Sequence, residues 1–180
     1  MGLRPAKCYR SLKGKAYTRK AVRVMKKAYI RGIPGARIRI FDMGNKSKRE
    51  WMWEVDLVAK EPVQLRHNQL EAARMAVNKM LLDKVGRANF FFRVRAFPHH
   101  VLRENPLATG AGADRFQKGM RHAFGRPIGT AARVKPGKVV FSVWVDKKDF
   151  IDVVKEAYRI AKLKLSGDYR IEIKRFEGRI

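Results

Sequence analysis

Residues 68–97 have the sequence NQLEAARMAVNKMLLDKVGRANFFFRVRAF, in which a helical pattern leads directly into a strand pattern. Asn68 can cap the first helical turn, and Glu71, three residues later, completes a pair similar to a capping box. Gly86 can end the helix, because glycine readily adopts the left-handed conformation that closes many helices. The apolar residues at helical spacing between these ends are Leu70, Ala73, Val77, Met80 and Leu81. The segment therefore predicts an amphipathic helix with one buried face.

The end of the same stretch, residues 90–97, alternates as a half-buried strand does. Arg93 and Arg95 fall on one face. The residues on the other face are Phe90, Phe92, Val94 and Ala96. Residues 138–145 repeat the alternation, and three further segments have strand composition. These segments are residues 38–41, 51–58 and 169–173.

A second helix is predicted directly after the strand at residues 138–145. Asp146 can cap it, Asp149 lies in the first turn where the helix dipole favours an acid, and Gly167 can end it. Its apolar stripe consists of Phe150, Val153, Val154, Ala157, Ile160 and Ala161. The order strands, helix, strands, helix, strand predicts a single α+β domain over residues 1–180. Its expected architecture is a two-layer sandwich, with two main helices on a mixed or antiparallel sheet.

The charge of the chain predicts its class of partner. It carries 42 lysines and arginines against 16 acidic residues, a formal net charge of +26. Such a chain needs a polyanion, and nucleic acid fits because each neutralised phosphate releases a condensed counterion. No acidic residue precedes Asp42, so residues 1–35 are predicted to form a basic RNA-binding extension. Tyr9, Tyr17 and Tyr29 lie among these cations and could stack on unpaired bases, the alternative being a solvated basic tail.

An anionic membrane surface is the rival polyanion. No apolar run approaches the roughly 20 residues that a spanning helix needs. The first residues also lack the apolar core of a signal peptide. We therefore expect a cytoplasmic protein without a membrane partner. The single cysteine, Cys8, excludes an internal disulfide and fits a reducing compartment.

The connection between the strands at 90–97 and 138–145 is unusually long for a compact domain. This segment, residues 99–137, is rich in glycine and arginine, and only Glu104 and Asp114 offset its positive charge. Glycine lets a backbone pass close to a partner, and arginine supplies forked phosphate donors. We expect a loop that reaches RNA; a disordered insertion is the alternative. The four-residue spacing of Met120, Phe124 and Ile128 indicates that part of it is helical or packed.

No motif for catalysis or cofactor binding is complete in the sequence. Residues 110–115 begin like a dinucleotide fingerprint but have Arg115 where the third glycine belongs. His99 and His100 are adjacent, which in a strand points them to opposite faces, so they do not predict a metal site. Cys8 has basic neighbours, which an RNA-facing tail explains without catalysis. We predict no enzymatic activity, no cofactor and no metal.

Several blocks of sequence, in order across nearly the whole chain, resemble one family. The blocks are residues 4–10, 31–35, 38–44, 71–74, 111–115, 119–121, 123–125 and 129–134. They resemble the archaeal and eukaryotic large-subunit ribosomal protein ten-e family, the counterpart of bacterial large-subunit ribosomal protein sixteen. Residues 99–105 and the short carboxy terminus make the chain similar to archaeal members. Residues 21–28 are extra relative to the family pattern, and positions 106–107 and 109–110 differ from it.

The resemblance implies a fold of α/β-hammerhead type and a place in the large ribosomal subunit of the cytoplasmic ribosome. It implies that the protein binds large-subunit ribosomal RNA and that its internal loop lies near tRNA at the peptidyl-transferase centre. Neighbouring ribosomal proteins are further expected partners, with 5S rRNA an additional candidate, and no homo-oligomer is expected.

The resemblance and the charge pattern together give two sets of candidate residues. The candidate rRNA-binding residues are Arg4, Lys7, Tyr9, Arg10, Lys13, Lys15, Arg19, Lys20, Arg31, Arg39, Arg93 and Arg95. The candidate tRNA-proximal residues are Arg103, Gly112, Asp114, Arg115, Lys118, Arg121, Arg126 and Arg133. Two alternative functions remain. A DNA-coating chromatin protein would show no preference for structured RNA. An RNA-processing enzyme would need a set of acid and base residues, which this sequence does not contain.

Overall fold

The structure is a computed structural model that describes residues 3–20, 26, 29–48, 50–105, 107, 110–116 and 119–176. The described residues form eight strands, two long helices and one short helix. The strands are β1 Asp42–Gly44, β2 Trp53–Ala59, β3 Val63–Arg66, β4 Phe90–Val94, β5 His100–Glu104, β6 Arg126–Val134, β7 Val139–Val145 and β8 Tyr169–Arg175. The helices are α1 His67–Lys84, α2 Ala113–Phe116 and α3 Asp149–Lys164. The α+β prediction is confirmed.

The larger sheet has five strands in the order β1-β4-β7-β2-β8, and every pairing is antiparallel. Helices α1 and α3 pack side by side against one face of it. Leu70, Val77 and Leu81 of α1 and Val154 and Ala157 of α3 are fully buried in this core. The periodicity predicted the buried face of α1, because apolar residues three and four apart lie on one side of a helix. In α3 the predicted face is partly wrong, since Ile151 and Tyr158 are buried whereas the predicted Phe150, Val153 and Ile160 are half-buried.

Both predicted helix caps are wrong by two residues, since the observed caps are Arg66 and Lys148. Helix α1 is capped at Arg66, whose backbone N–H donates to Gln69 Oε1 at 3.1 Å, so Asn68 lies inside the first turn. Helix α3 begins at Asp149, which occupies the dipole-favoured first turn as predicted. Asp146 does not cap this helix and instead forms an ion pair with Lys48. Asn68 and Asp146 are both plausible caps on sequence. The contacts made in the folded chain determine which residue starts each helix.

The first predicted strand is displaced along the chain. Of residues 38–41 only Ile38 is buried, Ile40 is exposed, and the strand that pairs with β4 is β1, directly after them. Strand β3 was not predicted, because four residues are too few to show a period. Strands β2, β4, β7 and β8 begin and end within a few residues of the predicted positions.

The segment predicted as one long loop, residues 99–137, is a loop only in its middle. Its two ends are strands β5 and β6, which pair with each other and, through β6, with β3. They form a second antiparallel sheet of three strands in the order β3-β6-β5. The loop proper is residues 105–125, which we call the internal loop. Because β5 and β6 pair directly, the second sheet holds the start and the end of the internal loop next to each other.

Candidate RNA interface

The basic amino-terminal segment packs against the three-stranded sheet along both of its outer edges. The N–H of Gln64 in β3 donates to the carbonyl of Arg10 at 2.8 Å, and the N–H of Val101 in β5 donates to the carbonyl of Tyr17 at 3.0 Å. Between these contacts, the Arg133 guanidinium of central strand β6 donates to the carbonyl of Gly14 at 2.8 Å. The segment thus supplies partners for edge groups that would otherwise be unpaired.

Two carboxylates anchor this segment. Glu104, at the end of β5, forms an ion pair with Arg4 and accepts a hydrogen bond from the Tyr9 hydroxyl at 3.0 Å. Burial, and then the bond to Glu104, raise the pKa of Tyr9. Glu61, just before β3, forms an ion pair with Arg10. Three of the candidate rRNA-binding residues therefore already have partners within the chain.

Arg93 and Arg95 lie on the face of the five-stranded sheet opposite the helices. Arg93 pairs with Asp42 at 2.7 Å and lies 5.2 Å from the Phe91 ring centroid. Arg95 pairs with Glu54 at 3.1 Å and lies 5.3 Å from the Trp144 ring. Because the nearest carboxylates already neutralise both charges, this face offers less to a phosphate than the sequence indicated.

Other candidate cations have no carboxylate partner among the residues that the structure describes. In the amino-terminal part these are Lys7, Lys13, Lys15, Arg19, Lys20, Arg31 and Arg39, and beyond it they are Arg103, Arg115, Arg121, Arg126 and Arg133. Arg19 lies 5.2 Å from the Tyr29 ring, and burial lowers the pKa of Lys20. Apart from Arg39, which lies just before β1, these residues lie on the amino-terminal segment (residues 1–35), the strands of the second sheet, or the internal loop.

The internal loop contains two short helical turns, α2 and a 3-10 turn at Gly119–His122. Gly112 lies in the turn directly before α2, and Arg115 and Arg121 are exposed. Asp114 lies within α2, but its side chain is outside the described part of the structure, and Lys118 lies outside the described residues altogether. Of residues 21–28, the extra stretch noted above, only Lys26 is described.

Where the internal loop returns to the sheet, three side chains form a stack. The Arg103 guanidinium lies 4.4 Å from the Tyr17 ring centroid and 4.3 Å from that of Phe124. The two rings are 5.7 Å apart and nearly perpendicular. Gly125 follows, and a Cβ there would lie 2.6 Å from the Glu104 carbonyl carbon, so the loop end approaches β5 as only glycine permits.

The stack and the anchoring role of Glu104 were missing from the sequence-based list of functional residues. A signal for Glu104 was present, since it is one of only two acids between residues 99 and 137. For Phe124, the spacing with Met120 and Ile128 suggested packing, but Met120 and Phe124 are 66% and 67% exposed. Nothing in the sequence indicated that Tyr17 and Phe124 meet across Arg103.

The described residues form neither a membrane-spanning helix nor a cluster of metal ligands. No helix there is long and apolar enough to cross a membrane. Within the same residues, no group of three or more histidine, cysteine or acidic side chains is placed to hold a metal ion. The cations that lack carboxylate partners are therefore the feature of this surface that indicates a ligand. A polyanion is the class of ligand that would neutralise them.

Comparison with known proteins gives a consistent result over nearly the full length. The family model described as ribosomal protein L16p/L10e matches residues 13–172. The large ribosomal subunit protein uL16 of Methanosphaerula palustris is 49% identical over 172 residues, covering 96% of this chain and 94% of that protein. The proteins of the same name from Archaeoglobus fulgidus and Staphylothermus marinus are 47% and 48% identical, each over 97% of this chain and 95% of their own length.

Proposed function

The chain belongs to the ribosomal protein L16p/L10e family, and from this premise we propose how it acts in the large ribosomal subunit. It is a structural constituent of that subunit and not an enzyme. Its partners there are ribosomal RNA and neighbouring ribosomal proteins, and it is located in the cytoplasmic ribosome. The finer proposal is that the second sheet and its amino-terminal segment bind rRNA, while the internal loop extends towards tRNA near the peptidyl-transferase centre.

The distribution of unneutralised charge supports the rRNA part of this proposal. Cations on the five-stranded sheet are paired with carboxylates, as Arg93 is with Asp42 and Lys174 is with Asp56. By contrast, Lys7, Lys13 and Lys15 have no carboxylate partner in the described part of the chain. A phosphate that meets an unpaired cation replaces only water and counterions, whereas a paired cation must share or lose its carboxylate. RNA therefore binds preferentially at the second sheet.

In this mechanism the basic residues position the protein and RNA shape selects the site. Contacts to phosphates fix orientation without reading sequence. Selection then comes from the shallow minor groove of RNA helices and from unstacked bases in loops. The internal loop assists the subunit by holding tRNA in place, and no proton transfer is assigned to it.

Sedimentation tests the assignment to the particle. Tagged protein is purified with ribosomes from its own cells, and the large subunits are washed in about 1 M salt, where the screening length falls to about 3 Å. We expect the protein to stay with the large subunit, because a chain wedged among RNA helices is held by shape as well as by charge. Release into the supernatant, or migration with DNA, would contradict the proposal.

The tRNA part needs its own test. Arg115 and Arg121 are exposed on the internal loop, so their replacement by alanine removes two charges without disturbing the core. We expect the double variant to slow tRNA accommodation, measured by rapid kinetics, while subunit association is unchanged. A matched control replaces Arg159 and Lys164, which are exposed on α3, by alanine. Equal accommodation rates for the two double variants would show that the loop does not act on tRNA.

A further inference from the structure

A cleft of about 530 Å³ opens between the amino-terminal segment, strand β5 and the end of the internal loop. Its volume lies within the range of about 300–1,000 Å³ that is usual for small-ligand sites. The lining residues that matter here are Tyr9, Lys13, Gln64, His100, Arg103 and Phe124. They come from four separate parts of the chain, so the cleft exists only because the amino-terminal segment packs on the second sheet.

One wall of the cleft offers flat, polarisable surfaces. Arg103 is held 4.3 Å from the centroid of Phe124, so its planar guanidinium has a fixed orientation. Phe124 is 67% exposed, which leaves most of its ring open to a ligand. Exposing a phenylalanine in water is unfavourable unless something covers it. Aromatic rings and guanidinium planes are the surfaces on which unstacked nucleobases are bound.

The cleft is also lined by hydrogen-bonding groups with defined roles. The Tyr17 backbone N–H donates to His100 Nδ1 at 2.8 Å, so the neutral ring carries its proton on Nε2 and can donate there. Gln64 uses its amide N–H to reach the Tyr9 carbonyl at 2.8 Å, which leaves its side-chain oxygen as an acceptor. The cleft therefore contains one side-chain donor on β5 and one side-chain acceptor on β3, the two kinds of group with which a nucleobase edge pairs.

The electrostatics of the cleft favour an anion beside that base. Burial and then the charge of Arg133, followed by His99, Arg103 and Lys20, lower the pKa of His100 to about 4. Several cations therefore act together on this point, and His100 stays neutral at physiological pH. Lys13 lines the same cleft and has no carboxylate partner in the described residues.

We propose that this cleft binds a single unpaired nucleotide of RNA, its base on Phe124 and Arg103 and its phosphate near Lys13. The inference rests on the proposed RNA-binding function and adds to it a site for one flipped-out base. A base inside a helix is stacked on both faces and cannot enter, so the nucleotide comes from a loop, bulge or single strand. Either rRNA or tRNA could supply it.

Binding of oligonucleotides to the full-length protein separates the base from the charge. The probes are a single-stranded RNA and the same strand with one central base removed, which have equal numbers of phosphates. Base stacking predicts that the complete strand binds between about fivefold and about a hundredfold more tightly, measured by fluorescence anisotropy at one salt concentration. Phe124→Leu should abolish this preference and Phe124→Tyr should retain it.

Two further variants test whether the effect is specific to the cleft. Phe97 is 61% exposed and does not line the cleft, so Phe97→Leu should leave the preference intact. Arg103→Lys keeps the charge but loses the plane, and it should weaken the preference. A wild-type protein that binds both strands equally, or a Phe124→Leu variant that still discriminates, would overturn the proposal. Because Phe124 is largely exposed, its replacement by leucine leaves the core unchanged.

A cross-link identifies the source of the nucleotide. Cys8 is the one cysteine of the chain, it is exposed, and it lines the cleft. A short photoreactive group attached to its thiol should cross-link to an unpaired rRNA nucleotide in subunits without tRNA, or to tRNA only when tRNA is bound. Cross-links to helical rRNA alone would refute the cleft site. Subunits that retain the protein but show this last result would leave the ribosomal assignment standing.

Discussion

Replacing Gly44 by alanine should loosen the short edge strand β1 from the five-stranded sheet. Gly44 has φ = +85°, a conformation that L side chains rarely adopt. A Cβ at this position would lie only 2.3 Å from the carbonyl oxygen of Phe90. The same oxygen accepts the Asn45 N–H at 2.9 Å, so an added methyl group would also displace that hydrogen bond.

The size of the effect follows from these contacts. A left-handed conformation costs a non-glycine residue about 1–2 kcal/mol. Losing the hydrogen bond adds about 1 kcal/mol. The sum, about 2–3 kcal/mol, corresponds to a fall in melting temperature of roughly 4–12 °C for a domain of this size. This free-energy cost is an upper limit, because β1 can move to relieve the clash. Only three residue pairs hold this strand to β4.

Two other glycines separate the two causes. Gly137 has φ = +77° but open space around its Cβ position, so Gly137→Ala should cost about 1–2 kcal/mol. Gly35 has neither feature, and Gly35→Ala should lie within about 1 kcal/mol of wild type. Urea unfolding followed by tryptophan fluorescence measures all three. If Gly44→Ala and Gly137→Ala unfold at the same midpoint, the close approach to Phe90 does not contribute as reasoned here.

Three further predictions concern individual side chains outside the glycine series. Replacing Lys13 and Lys15 by alanine should reduce the slope of log K against log salt for RNA binding by roughly 1.4–1.8, since each phosphate contact contributes about 0.7–0.9; an unchanged slope would mean that neither contacts phosphate. His100 has its pKa lowered to about 4, whereas the unfolded chain takes up this proton near the ordinary 6.5. Stability should therefore fall as pH drops from about 6.5 to 4, and His100→Gln should flatten that part of the pH–stability curve. The buried Tyr158 hydroxyl donates to the Val55 carbonyl at 2.9 Å, so Tyr158→Phe should cost about 1 kcal/mol in urea unfolding, and a change of a few tenths would contradict this.

The parts of the fold that were predicted are those fixed by local burial. Val77 and Leu81 recur on one helix face, and Phe92 and Val143 alternate in strands, whatever the rest of the chain does. Helix starts were less predictable because several polar residues can cap. Arg66 became the cap of α1 because Gln69 could bond back to it, and no rule of composition favours arginine at that position.

The second sheet could not be predicted from local patterns. Strand β6 is exposed at its start and buried further on, so its sequence has no single period. Its partners lie far away in the chain, since Leu65 pairs with Ala132 and Val101 pairs with Thr130. The candidate site inherits this difficulty, because the stack of Tyr17, Arg103 and Phe124 depends on three segments meeting around that sheet.

Net charge predicted the class of partner, but the few acids determine which cations remain unpaired for that partner. A count of lysines and arginines treats Arg93 and Lys13 as equivalent, although one has a carboxylate at 2.7 Å and the other has none in the described residues. An acid that forms an ion pair removes a cation from the set that phosphates can neutralise freely, as Asp42 does to Arg93. Glu104 does this to Arg4 and in the same step holds the amino-terminal segment on the second sheet. The acid that weakens one phosphate contact therefore builds the cleft in which a base can be bound.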